Sequence, residues 1–224
     1  MNQRVLDRIA LKLTDQIFAQ WNLDYNLGKT SSSLYKQVKT RGLEFEIDAT
    51  IYFDTVEGQA GFQPIKGFIS YDSTGADSRD FDDNDIFQTP FIIIDFGIER
   101  AWLPEYFTEL YFHLVDVVRH EIEHITQGGE SIGNYIPGKP SGDDSIEREL
   151  IHQGLLPQST YLILPKEVDA NLEGLRLESK VRGEMMINTL NRYLDSQDLG
   201  QTERNNVVEL WRNRAKKIGK IPQF

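Results

Sequence analysis

The chain has 224 residues, with 39% hydrophobic and 26% charged content, enough apolar material for a proper core and too much for wholesale disorder. Lys plus Arg number 24 against 35 Asp plus Glu, a formal net charge of -11, and so acidic a surface repels phosphate backbones and disfavours nucleic-acid binding. There are no cysteines, which excludes disulfide scaffolds, thiol nucleophiles, thiolate metal sites and iron–sulfur clusters.

Val5, Ile9, Leu13 and Ile17 recur every fourth residue, with Leu6, Ala10 and Phe18 beside them, and predict an N-terminal helix over about residues 3–21, ending near Trp21. This amphipathic start is unlike the apolar block of a signal peptide. The longest apolar run, Phe91 to Ile94, is far short of the ~20 residues of a membrane span. The expectation is a soluble cytoplasmic protein with no membrane partner; association with a virion is the alternative. A polar stretch with Gly28 and Ser31 to Ser33 reads as a loop.

Leu43, Phe45, Ile47, Ala49, Ile51 and Phe53 alternate with Glu44, Glu46, Asp48, Thr50, Tyr52 and Asp54, the clearest strand pattern in the chain. Glu57-Gly58 and Gly61 supply a turn, and Ile65 to Tyr71 reads as the hairpin partner. Residues 72–85 form an acidic loop. Within it, Asp80 to Asp85 fails as a calcium loop, because Asp85 and Phe91 stand where glycine and glutamate are required. Phe91 to Ile98 is a third strand, entered through Pro90.

The period turns helical from about Pro104 to Gln127. Residues 127–160 hold six of the 17 glycines and read as a long Gly/Pro-rich excursion, with one short helix around Ser145 to His152. Helical patterns fill a C-terminal part over about 165–220. Its basic end, Arg204 to Lys220, reads as a docked helix rather than a nucleic-acid arm. Helix, small mostly antiparallel sheet, then helices define a single α+β domain over 1–224.

His120-Glu121-Ile122-Glu123-His124 fits H-E-x-x-H inside a helical segment. Histidines at i and i+4 stand one above the other and can reach one ion, with the intervening Glu121 placed as general base for a metal-activated water. At ~100° per residue, Leu114, Val118, Ile122 and Ile125 form the core stripe, and His113, His120 and His124 the stripe alongside. Glu121 falls on the apolar side, where a carboxylate is costly without a task or a partner. Glu123 falls opposite, facing solvent. His113 sits ~10 Å of rise below His120, too far for the same ion, and reads as a packed or supporting residue.

A catalytic zinc has three protein ligands and one open position. The favoured third ligand is Glu167, in a helix opened by Pro165, with Asn171 one turn on placed to hydrogen-bond a ligand imidazole. Glu130, His152, Asp169 and Glu173 are rivals. Ala170 and Gly174 would let this helix pack close to another. Zinc is inferred from ligand type alone.

His120-Glu121-x-x-His124 followed by Glu167-x-x-x-Asn171 resembles the gluzincin type of zincin metallopeptidase. Glu167-Val168-Asp169-Ala170-Asn171 is similar to the second motif, E-x-[DE]-A-[ND], of small bacterial and phage peptidases. The resemblance implies a zincin-like fold, a Zn2+ cofactor and a peptide or protein substrate. It also implies an edge strand beside the active-site helix, for which Phe91 to Ile98 is well placed and where extended substrate would pair. His124 and Glu167 are 43 residues apart, longer than in compact members, which suggests a lid or specificity wall in the excursion. His152, Tyr135 and Tyr161 are possible oxyanion donors. Two other functions remain: a phage-type structural or assembly protein that keeps the fold with a non-catalytic metal, and a regulatory protease acting on a single partner.

Overall fold

The structure, a computed structural model, describes residues 2–53, 68–72, 90–101, 103–127, 145–197 and 199–217. The expected turn at Glu57 to Gly61, most of the acidic loop, Glu130, Tyr135 and the side chain of His152 lie outside the described residues. The described elements are α+β, in the order helix, sheet, helices.

The first helix, α1 (Gln3–Asn26), starts where the Asn2 side chain accepts the backbone N–H of Arg4. Its buried stripe is Leu6, Ala10, Leu13, Ile17 and Trp21, whereas Val5, expected inside, is 41% exposed. The helix runs past Trp21 because its last turns also have core to cover. Tyr25 packs edge-on to Phe53 and Phe107, and the Trp21 indole N–H donates to Ala49 O.

Strands β1 (Ser31–Thr40) and β2 (Leu43–Tyr52) form an antiparallel hairpin across Arg41-Gly42, with Gly42 at φ 87°. The serine stretch expected as loop is therefore strand. Its polar residues fit an edge strand with one wet face; only Ser32 and Val38 are fully buried on it. On β2 the alternation is borne out: Leu43, Phe45, Ile47, Ala49 and Ile51 all point inward.

The next two strands correct the expected pairing. Strand β3 (Phe68–Asp72) pairs antiparallel with β4 (Phe91–Gly97), not with β2, and β4 runs parallel to β2. The order is β1-β2-β4-β3, a mixed four-stranded sheet. β4 is thus interior rather than the edge expected for substrate pairing. Its unbroken apolar run suits a strand flanked on both sides, with Ile92, Ile94 and Phe96 buried.

Helix α2 (Leu103–Thr126) lies with α1 over the inward face of the sheet, and Leu110, Leu114, Val118, Ile122 and Ile125 join that core. Among the described residues of the excursion, α3 (Ser145–His152) falls where the sequence places it and is followed by a 3-10 turn, Gln158–Ile163. Helix α4 (Pro165–Arg182) has Pro165 in its first turn and ends on Gly183 at φ 73°. It packs along α2 and carries Leu177 into the sheet core. Its other apolar residues, Val168, Leu172 and Leu175, enter a second core with α5 (Met186–Ser196) and α6 (Gln201–Lys217). That core centres on Trp211, whose indole N–H donates to Leu162 O. Among the described residues no helix is long and apolar enough to cross a membrane.

Candidate metal centre

Helix α2 is apolar toward the sheet, yet from Asp116 to Gln127 its other faces are covered as well. Asp116, Arg119, His120, Glu121, Glu123, Thr126 and Gln127 are all buried. Buried polar groups need partners, and α4 supplies them for Arg119, His120 and Gln127.

Four carboxylates on α4 are buried, and each has its own counterpart. Glu167 meets the histidine pair, with Oε2 3.4 Å from His120 Nε2 and Oε1 3.2 Å from His124 Nε2. Asp169 takes a two-pronged ion pair from Arg214 of α6, at 2.6 and 2.7 Å. Glu173 accepts from Arg119, Arg176 and Gln3. Glu178 pairs with Arg182. Asp169 and Glu173, rivals for the third ligand position, are thereby engaged elsewhere, and the basic C-terminal helix finds its acidic partner in Asp169.

Glu123 also departs from expectation. It is fully buried, 3.0 Å from the Arg119 guanidinium, which also holds Asp7 of α1. A wheel drawn from apolar residues alone assigns that face to water; in the structure an ionic cluster joining α1, α2 and α4 occupies it.

His120 Nε2 and His124 Nε2 are 2.9 Å apart, their ring planes inclined at 77°. Two lone pairs at that separation repel unless a proton or a cation lies between them. One donor atom each from His120, His124 and Glu167 lie within 4.8 Å of one another, and the three could hold a metal ion. Donors at ~2.0–2.1 Å from a tetrahedral zinc are about 3.3 Å apart; here the two Nε2 atoms are 2.9 Å apart, and each lies 3.2 or 3.4 Å from a different oxygen of Glu167. The donor set, two imidazoles and a carboxylate, also suits zinc.

Burial alone would raise the Glu167 carboxyl, but hydrogen bonds from His120 and His124 outweigh it and hold the group far below the usual carboxylate range. Burial would lower the His124 imidazole; Glu167, Glu121 and Gln127 reverse that and raise it. Glu121 is fully buried, with Oε1 3.6 Å from His120 Nε2.

Asn171, expected to orient a ligand imidazole, makes no such bond; it is buried on α4 and its Nδ2 has no hydrogen-bond partner. Gln127 takes the role instead. Its Oε1 lies 3.0 Å from His124 Nδ1, and its Nε2 donates to Lys166 O, next to Glu167 in the chain. A proton on Nδ1 leaves the Nε2 lone pair free to face the cluster. Gln127 follows His124 by three residues, one helical turn, and that spacing was the signal by which it could have been found. His113 is packed edge-on against Phe96, well below the cluster.

No protein-family model, curated protein or solved structure matches the chain.

Proposed function

We propose that the protein is a zinc-dependent peptidase of zincin type, with His120, His124 and Glu167 as metal ligands and Glu121 as general base. The observation that carries the reading is the convergence of three donors from two helices beside a fully buried carboxylate. Zinc bound there would supply a Lewis acid that acidifies water and polarises a scissile carbonyl.

The chain's own residues divide the remaining work. Glu121 takes the proton from the attacking water and delivers it to the leaving nitrogen as the carbon–nitrogen bond breaks. Its burial keeps bulk water from competing for that proton. Gln127 holds the His124 ring in the tautomer that ligation needs. Glu167, kept ionised by its two imidazoles, neutralises one of the two charges of the ion.

The Glu121→Gln variant tests the assignment, because the amide keeps the shape and cannot accept the proton. The expected result is unchanged zinc content with peptide cleavage reduced at least ~1000-fold, on the scale of a lost general base plus misplaced water. Equal cleavage by Glu121→Gln and wild type would remove Glu121 from the mechanism. Wild type that holds zinc and cleaves no member of a broad peptide library would favour a structural metal in an assembly protein.

A further inference from the structure

A cavity of about 110 Å³ opens between the end of β4, α2, α4 and α5, one helical turn before the histidine pair on α2. Phe96, Tyr106 and Tyr193 give it aromatic walls, and Asp116 lines it. Asp116 is only 5% exposed; its Oδ1, which has no hydrogen-bond partner, packs against Gly174 of α4, while the residue also borders the cavity. A buried carboxylate in that position costs several kcal/mol unless something compensates it.

The neighbouring charges do not. Arg182 is occupied by Glu109, through two bonds of 2.9 and 2.6 Å, and by Glu178. Arg192 is engaged with Glu184. His113, another lining residue, is half-buried and held neutral, since burial and then Arg182 push its imidazole down to about 4. The lining therefore holds three carboxylates, Glu109, Asp116 and Glu178, against two guanidiniums already paired. Burial first, and then the negative charge of Glu178, push the Asp116 carboxyl well above the usual carboxylate range, and a cation seated in the cavity would let it ionise.

Its position connects it to the metal centre. Asp116 precedes His120 by one helical turn, about 6 Å of rise. Tyr193, on the cavity wall, is close enough to both Asp116 and Glu167 for their charges to act on its phenol. The extended stem of a lysine or arginine covers such a distance and packs its methylenes against aromatic walls.

We propose that this cavity receives a lysine or arginine side chain of the substrate, with Asp116 pairing the cationic head. The identity of the occupant as part of a peptide rests on the peptidase reading; the preference for a cation rests on the carboxylates of the lining.

The experiment measures binding of N-acetyl-lysine methylamide and its uncharged isostere N-acetyl-norleucine methylamide to the zinc-loaded full chain by calorimetry or NMR titration. Cleavage of a peptide library is profiled on the same preparation. The expected result is at least tenfold tighter binding of the lysine probe, a ratio that falls toward one in Asp116→Asn, together with cleavage concentrated at peptides carrying Lys or Arg. Equal or tighter binding of the norleucine probe to wild type overturns the proposal, whether or not the variant folds. Cleavage without any preference for Lys or Arg also overturns it and leaves the peptidase reading standing. Lysine selectivity without cleavage keeps the cationic pocket and overturns the peptidase reading.

Discussion

Gly174 of α4 lies directly against Asp116 of α2: a Cβ on Gly174 would come within 2.1 Å of Asp116 Oδ1 and 2.8 Å of its carbonyl oxygen. The second distance is to backbone, so no side-chain rotation relieves it. Two helices that approach this closely can set a carboxylate of one, Glu167, against two imidazoles of the other. Gly174→Ala must push α4 outward. The expected cost is about 1–3 kcal/mol of stability, as for other overpacked sites, together with weaker zinc binding. Urea unfolding and a zinc titration of the variant check both; an unchanged zinc affinity would show that the ligand geometry does not depend on this contact.

The ionic cluster around Arg119 sets the same pair of helices from their other side. Arg119 is fully buried and reaches Asp7, Glu123 and Glu173, with Arg176 closing the group onto Asp7 and Glu173. Arg119→Met leaves three buried carboxylates with one guanidinium among them. Breaking a buried pair from one side costs about 3–5 kcal/mol, and urea denaturation is expected to show a loss of that size. A loss below about 1 kcal/mol would mean that the cluster relaxes or admits water.

Gln127 acts through His124. With Gln127→Ala the imidazole loses its Nδ1 partner, and α2 loses its tie to Lys166 O. Zinc affinity is expected to fall about 10–100-fold. Gln127→Glu restores the acceptor at Nδ1 and is expected to recover much of that loss, which competition with a chelator of known affinity measures. A Gln127→Ala variant that binds zinc like wild type would remove the positioning role.

The parts of the molecule legible in the sequence are those in which apolar periodicity speaks for itself: α2, α3, α4 and the alternating strand β2. β1 was not legible, because Lys36, Gln37 and the serines give no alternation, and its pairing with β2 decides its conformation. The position of β4 inside the sheet depends on which strands pair, which a local pattern does not carry. At the site, His120, Glu121 and His124 could be chosen because their spacing puts both imidazoles on one helical face, and Glu167 because Pro165 opens its helix; the Glu167/Asn171 spacing misplaced Asn171, which makes no bond to an imidazole. Glu123, Asp169 and Glu173 could not be placed, because their partners Arg119, Arg214 and Arg176 are far away in sequence or lie on a face that apolar periodicity assigns to solvent.

His113 gives the fold a pH dependence of definite sign. Burial first, and Arg182 second, lower its imidazole from 6.5 to about 4 in the folded protein. Between those values the unfolded chain binds the proton and the folded chain does not. Stability is then complete above about pH 6.5 and is lost as pH falls toward 4, by on the order of 1–3 kcal/mol. Unfolding measured from pH 7.5 to 4.5 is expected to lose part of this slope in His113→Gln, and the wild-type imidazole should show no NMR titration near pH 6.5. A midpoint at 6.5 would contradict the assignment.

The proposal that His120, His124 and Glu167 hold one ion is tested most directly by metal content and affinity. The full chain is stripped with chelator, reloaded with zinc and analysed for bound metal, beside Glu167→Ala and Glu121→Gln. The expected result is one zinc per chain in wild type and in Glu121→Gln, and an affinity at least ~100-fold weaker in Glu167→Ala, as for a lost ligand. Wild type that retains no zinc, or Glu167→Ala that binds it as tightly as wild type, would contradict the account.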